Sequence, residues 1–361
     1  METDDNSLSL LLVSADAGGT QEIQALNTYL SRNYKKYKCT VVTKPGNEDA
    51  ASLFNSHFDG VICGTSIESD FEHRLWIEAK KRKIKSFALI DHWTNYYERF
   101  VRDNLVVLPD FILLNDDQAK IGALKAFREK KALGDFDESH FIVFGNPHFC
   151  EIKSYKPVVS RGGILAKLGI SEKKKMILYL SDALTQACHG EKAAIDRFGF
   201  SEISILEDCL KEFENLASKH KINAAGFTLV IKLHPVDKDK KKYEDLLDKY
   251  SKMTMDWRVI LHGELQNLAF SPWDLFYHSD FQIGSFTAAL IEVALMGKNP
   301  LRVEINAKEN ALPSLTIKRI TKREELESRL EEYLNQPQTT KDLNSNFCMD
   351  FEKILSELIS K

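Results

Sequence analysis

The sequence predicts an α/β protein: two Rossmann-like, doubly wound domains facing across a cleft, followed by C-terminal helices. Three observations carry this. Short aliphatic and β-branched runs alternate with longer amphipathic stretches, the pattern of parallel strands joined by crossover helices. The pattern runs once through the first half, breaks near residue 155 and starts again. A length of 361 residues suits about two domains at roughly 150 residues each.

In the first half the predicted strands are Leu8–Ser14, Thr40–Thr43, Gly60–Cys63, Ser86–Ile90, Phe111–Leu114 and Phe141–Phe144. They read as continuous apolar runs because parallel strands are buried on both faces. Helical spacing fills the gaps, as in Gln21–Arg32 and Glu68–Arg82. The second series is Met176–Leu180, Thr228–Leu233, Arg258–Leu261, Phe281–Ile283 and Leu301–Ile305. Between them, Lys153 to Lys175 contains Pro157, Gly162 and Gly163 and reads as the linker. The expected domains are therefore 1–155 and 156–325. Residues 326–361 read as two helices around Asn335-Gln336-Pro337-Gln338, with the option of packing back on the first domain.

Composition narrows the function. Hydrophobic residues at 43% and charged residues at 28% exclude disorder over most of the chain. A net charge of −4 argues against a protein that grips nucleic acid. No apolar stretch is long enough to span a membrane, and the start Met1-Glu2-Thr3-Asp4-Asp5 is acidic where a signal peptide needs positive charge. The six cysteines form no C-x-x-C pair, which speaks against a zinc site or a disulfide framework. The expectation is a cytoplasmic protein with reduced thiols and no metal.

Ligands of doubly wound sheets bind at the carboxyl ends of the strands, so the residues after each strand are the candidates. The first strand runs into Asp16-Ala17-Gly18-Gly19-Thr20. Gly18 and Gly19 let backbone approach a ligand, and Asp16 either caps the helix or serves the site. This is neither a G-x-G-x-x-G fingerprint nor a Walker loop. The fourth strand runs into Asp91-His92-Trp93-Thr94-Asn95-Tyr96, the densest polar-aromatic cluster in the chain. Asp91 or His92 can take a proton near neutral pH. Gly145-Asn146-Pro147 after the sixth strand suggests a hinge or a cleft wall.

In the second half Lys232-Leu233 runs into His234-Pro235. Proline restricts the residue before it to extended geometry, so His234 is well placed to donate to a phosphate. Gly284-Ser285-Phe286-Thr287 precedes an alanine-rich helix that holds Glu292. Ser285 or Thr287 can cap that helix and still face an anion. Asp237-x-Asp239 is read as a solvated helix start, not a metal pair. The basic run Lys80 to Lys85 is read as a solvated helix end, compatible with peripheral contact with anionic lipid. Trp257 and Trp273 are read as packing residues.

Together these motifs resemble the GT-B superfamily. Lys232-Leu233-His234-Pro235 resembles the HP motif of bacterial sialyltransferases, Kdo transferases and CDP-glycerol glycerophosphotransferases. Gly284 to Thr287, with Glu292, Gly297 and Pro300, resembles their Ser/Thr motif and the equivalent region of UDP-GlcNAc 2-epimerases. The acidic Gly segment of the sialyltransferases has no clear copy, Asp16 being the nearest residue. The His-x-Glu-Ala-Gly segment of the epimerases is absent.

The resemblance implies a metal-independent glycosyltransferase, free of cofactor, that uses a CMP- or UDP-linked sugar and a hydroxyl acceptor. That acceptor would be a glycan or a lipid-linked molecule of a bacterial surface-glycan pathway. Donor groups would come from His234, Pro235, Ser285, Thr287 and Glu292 in the second domain. The base would come from Asp16, Asp91 or His92 in the first. A glycerophosphotransferase, a UDP-GlcNAc 2-epimerase or hydrolase, and a non-catalytic sugar-nucleotide or glycan binder are the alternatives.

Overall fold

The computed structural model describes residues 7–46, 49–66, 69–133, 136–313, 316–317, 319–336 and 346–360. Glu68, Pro337, Gln338 and the N-terminal Met1 to Asp5 lie outside these. The chain divides into two units, residues 1–152 with 345–361, and residues 153–344.

Unit 1 is built on a parallel sheet of six strands in the order β2-β1-β3-β4-β7-β8. These are β1 (Leu8–Ser14), β2 (Tyr37–Thr43), β3 (Gly60–Cys63), β4 (Lys85–Leu89), β7 (Phe111–Leu114) and β8 (Phe141–Val143). A short antiparallel hairpin, β5 (Val101–Arg102) with β6 (Leu105–Val106), stands apart from it. The helices are α1 (Ala17–Asn33), α2 (Phe71–Arg82), α3 (Asp117–Glu129) and α4 (Pro147–Lys153). Strand β2 begins three residues earlier than its apolar run. It is an edge strand with alternating exposure, so only part of it reads as continuous.

Side-chain alternation divides the core of unit 1. Leu10, Leu12, Ile62, Phe87, Leu89 and Leu113 face one layer, where α14 (Phe351–Ile359) inserts Phe351, Leu355 and Leu358. Trp76 of α2 packs on Phe100, and Phe100 on Phe127 of α3.

Unit 2 repeats the design with the strand order β11-β10-β9-β12-β13-β14, all parallel. The strands are β9 (Lys175–Leu180), β10 (Phe227–Lys232), β11 (Asp256–Ile260), β12 (Phe281–Gly284), β13 (Leu301–Val303) and β14 (Arg319–Ile320). Strand β14 has two residues and gave no apolar run to read. The helices are α5 (Arg161–Leu168), α6 (Leu184–Ala187), α7 (Glu191–Phe198), α8 (Glu202–Ser218), α9 (Lys241–Lys249), α10 (Glu264–Asn267), α11 (Pro272–His278), α12 (Ala289–Leu295) and α13 (Leu326–Asn335). This is the strand order of a dinucleotide-binding fold, and its order reverses between β9 and β12.

The tail, one block in the sequence reading, is divided. Leu326, Leu330 and Tyr333 of α13 belong to the core of unit 2, whereas α14 belongs to unit 1. A second correction concerns the thiols. Cys150 of α4 is disulfide-bonded to Cys348, 198 residues away, with Cα atoms 5.3 Å apart. Folding, not local spacing, brings the two together, so no sequence pattern announced the bond. Cys39, Cys63, Cys188 and Cys209 are free. No helix among the described residues is long and apolar enough to cross a membrane.

The apolar stripe of α14 makes a stability prediction. Phe351 is buried against Tyr29 and Phe144. Phe351→Ala should cost about 3–5 kcal/mol in chemical denaturation, the usual loss for a buried phenylalanine. A loss below ~1 kcal/mol would show that α14 does not complete the unit 1 core.

Candidate functional site

In unit 1 the residues after β1 lie against those after β4. Asp16 caps α1, its Oδ1 accepting from Gly19 N at 2.8 Å. The cap role is therefore in place. The two glycines serve close packing within the protein. A Cβ on Gly18 would stand 2.1 Å from Asp91 Oδ2, and one on Gly19 would stand 2.8 Å from Ser14 Oγ. Gly18 thus brings the turn after β1 against the carboxylate after β4.

Asp91 is held from its other side. Arg99 Nη1 donates to Asp91 Oδ1 at 2.9 Å, and also to Thr65 O and Thr65 Oγ1, each at 2.8 Å. The guanidinium is buried, so a fixed cation orients a partly open carboxylate. His92 lies next to it, with Nδ1 3.2 Å from Thr94 Oγ1. Trp93 is buried, its Nε1 donating to Asp116.

Behind these residues is a polar cluster that the sequence did not reveal. Asn146 Nδ2 donates to Glu22 Oε1 and to Asn115 Oδ1, and all three residues are buried. Burial, then the charge of Asp91, drives the Glu22 carboxyl well above the usual range. Asn146 also anchors the backbone: its N–H donates to Phe347 O at 2.8 Å. The Gly145-Asn146-Pro147 segment is therefore packed against the C-terminal segment of unit 1. Glu72, at the start of α2, accepts from Ala15 N at 3.0 Å and is pushed by burial to about 7.

In unit 2 the pivot is the dipeptide Ser181-Asp182 directly after β9, which no motif marks. Asp182 Oδ2 accepts from Ser285 Oγ and, at 3.0 Å, from Phe286 N. These bonds cross the point between β9 and β12 where the strand order reverses. They also correct the reading of Ser285: its buried hydroxyl is committed to Asp182 and is not presented to an anion. Thr287 Oγ1 accepts from Ala289 N at 3.3 Å, one residue ahead of the N-cap of α12, Ala288. Burial pushes Asp182 up to about 7.

Ser181 fixes the other loop. Its hydroxyl bonds to Tyr243 OH, which donates to Asp237 Oδ2 at 3.0 Å. Asp237 is buried and paired with Lys242 at 2.8 Å, and Lys242 also reaches Glu202 at 3.0 Å. Asp237 is thus a structural anchor, a correction to its reading as a solvated helix start. It closes the turn His234-Pro235-Val236-Asp237, in which Asp237 N donates to His234 O at 3.0 Å. Proline suits the second position of such a turn. Val236 N donates to His234 Nδ1 at 3.4 Å, which puts the proton of the neutral ring on Nε2. Trp273 Nε1 donates to Glu292 Oε2 at 3.0 Å, so Trp273 does more than pack.

The structure thus gathers Asp16, Gly18, Gly19, Asp91 and His92 at the strand ends of unit 1. It sets His234, Pro235, Ser285, Thr287 and Glu292 on loops and helices that follow the strands of unit 2. Among the described residues no group of three or more His, Cys, Asp and Glu is arranged to hold a metal ion. The basic run is partly neutralised, Lys81 pairing with Glu78 at 2.6 Å.

No protein-family model matches the chain. No curated protein matches its sequence. Solved structures do match. The chain is similar to the UDP-GlcNAc 2-epimerase of Methanocaldococcus jannaschii, at 11% identity over 98% of this chain and 100% of that one, with a TM-score of 0.62. That epimerase is also solved in complex with UDP-GlcNAc and UDP. The trehalose-6-phosphate protein of E. coli bound with UDP-2-fluoro glucose matches at 11% identity over 98% and 99% of the two chains, TM-score 0.58. The ADP-heptose LPS heptosyltransferase II of E. coli matches at 12% identity over 91% and 98%, TM-score 0.50. The class is thereby defined at the level of fold: two six-stranded Rossmann-like sheets of the GT-B type.

Asp182 predicts a pH dependence. Its carboxyl ordinarily titrates near 3.8 and sits at about 7 in the fold. Between those values the folded state binds more protons than the unfolded state, so this group's contribution to stability falls as pH rises through that window. Asp182→Asn should flatten the decline in melting temperature between pH 5 and 7.5 relative to the parent protein. An unchanged slope would contradict the assignment.

Proposed function

We propose that the protein transfers a glycosyl group from a nucleotide-activated sugar to a hydroxyl acceptor. The observation that carries this reading is the His234-Pro235 turn at the carboxyl end of β10. A buried network anchors it, and Nδ1 accepts from Val236 N, which suits a ring that donates through Nε2. Support comes from the fold, shared with proteins solved with UDP-GlcNAc, UDP and UDP-2-fluoro glucose.

In this reading unit 2 takes the donor. The acceptor oxygen attacks the anomeric carbon as the bond from that carbon to the phosphate oxygen breaks. Charge then grows on the departing phosphate. His234 Nε2–H donates to it, and preorganised donors of this kind are often the largest catalytic term. Thr287 lies beside the phosphate, and Glu292 takes the ribose hydroxyls. A carboxylate or imidazole base takes the acceptor proton. Asp91 is the base best suited, because Arg99 fixes one oxygen and leaves the carboxylate partly open. Asp16 is spent on its cap, and His92 is the alternate base. The sugar, the acceptor and the surface-glycan setting belong to the same proposal.

The test is a thermal-shift panel of CMP, CDP, UDP, UDP-GlcNAc and GDP, since ligand binding raises the melting temperature through mass action. One nucleotide should shift the protein selectively, and His234→Ala should abolish the shift. With that donor and an acceptor, His234→Ala should lose ~10²-fold or more in turnover, as for oxyanion donors. EDTA should leave the rate unchanged. Normal turnover in His234→Ala would sink the assignment. Sugar-nucleotide turnover without any acceptor would instead favour epimerisation or hydrolysis.

A further inference from the structure

A lone ammonium is expensive to bury, and lysine is almost never fully buried unless it is paired. The other buried cations obey this rule: Arg99 is paired with Asp91, and Arg302 with Glu304. Lys232 does not. It is the last residue of β10 and only 7% exposed. Among the described residues its ammonium has neither an ion pair nor a side-chain hydrogen bond. It lies over the Phe276 ring of α11, 5.9 Å from the centroid.

The neighbours of Lys232 offer little compensation. Its register partners are Leu180 on β9 and Ile260 on β11, both apolar. From α11 it meets the Phe276 ring. From α12 the charge of Glu292 acts on it without reaching salt-bridge distance. Glu292 is itself engaged by Trp273. Among the described residues the fold thus supplies a cation at a strand end, two residues before His234, with the distant charge of Glu292 but no ion pair to balance it. Ser285, the residue expected to serve an anion here, is turned to Asp182.

We propose that Lys232 captures a phosphate of the ligand, so that unit 2 selects nucleoside di- or monophosphates and their sugar conjugates over neutral nucleosides. This rests on the donor reading above and adds to it the residue that balances the ligand's charge. The ammonium would form a charge-assisted hydrogen bond with a phosphate oxygen. A second consequence follows. Burial, against the opposing charge of Glu292, brings the free amine down to about 8. A bound phosphate favours the charged form, so binding near pH 8 should take up part of a proton from solvent.

The experiment is titration calorimetry at pH 8.3 in two phosphate-free buffers of different ionisation enthalpy. The probes are the nucleotide with the largest thermal shift, its nucleoside, and inorganic pyrophosphate. The parent protein should bind the nucleotide with a buffer-dependent heat that reports proton uptake. Lys232→Met should weaken it roughly ten- to a hundred-fold, the range for a bond to a charged group, and lose the buffer dependence. Its affinity for the nucleoside should not change. Lys232→Arg should keep most of the affinity without proton uptake, because guanidinium stays charged. Both variants are checked for an unaltered circular dichroism spectrum. Parental nucleotide affinity in folded Lys232→Met, or retained proton uptake there, overturns the proposal. Binding of pyrophosphate that depends on Lys232, with no nucleotide binding, keeps the anion site and overturns the donor reading. Absence of both kinds of binding overturns the anion site.

Discussion

The Ser181-Asp182 pair at the end of β9 is the constraint on which the unit 2 site depends. Its two side chains reach in different directions. Asp182 holds the loop after β12 through Ser285 and Phe286, and Ser181 holds the loop after β10 through Tyr243 and Asp237. Central parallel strands end in loops whose backbone groups have left the ladder, and a buried polar group without a partner is costly. Here each buried carboxylate is satisfied by the loop it orders. Hydrogen bonding and site geometry are therefore one problem with one solution. The burial that raises the Asp182 carboxyl to about 7 is the cost of this arrangement.

Unit 1 solves the same problem with different residues. Gly18 allows the α1 turn to lie against Asp91, and Arg99 fixes the opposite oxygen. Beneath them, Glu22, Asn115 and Asn146 carry the order down to the C-terminal segment through the Asn146–Phe347 backbone bond. Phe347 in turn packs on Phe149, next to the bond between Cys150 and Cys348. The C-terminal segment is thus structural support for the strand-end loops of unit 1, which its distance in sequence conceals.

Much of the fold was legible. Central strands such as Gly60–Cys63 and Phe281–Gly284 are buried on both faces and announce themselves as apolar runs. Edge strands do not: β2 alternates in exposure and β14 has two residues. The positions of candidate site residues were legible where a motif marked a strand end, as at Asp91 and His234. Their partners were not. Asp182 and Ser285 stand 103 positions apart in the sequence, with no local sign that they bond. Lys232 was hidden differently. It reads as the polar end of an apolar run, and only its burial without a carboxylate marks it out. The signal for Ser181-Asp182 is its place, a polar pair directly after the apolar run of β9.

The central claim is that a nucleotide seats on the loops ordered by Ser181-Asp182. Hydrogen-exchange mass spectrometry with and without saturating nucleotide tests it most directly. The account predicts slowed exchange in segments covering 181–183, 232–237 and 285–292, with the rest of unit 2 little changed. Slowed exchange confined to unit 1, or spread evenly over the chain, would contradict it.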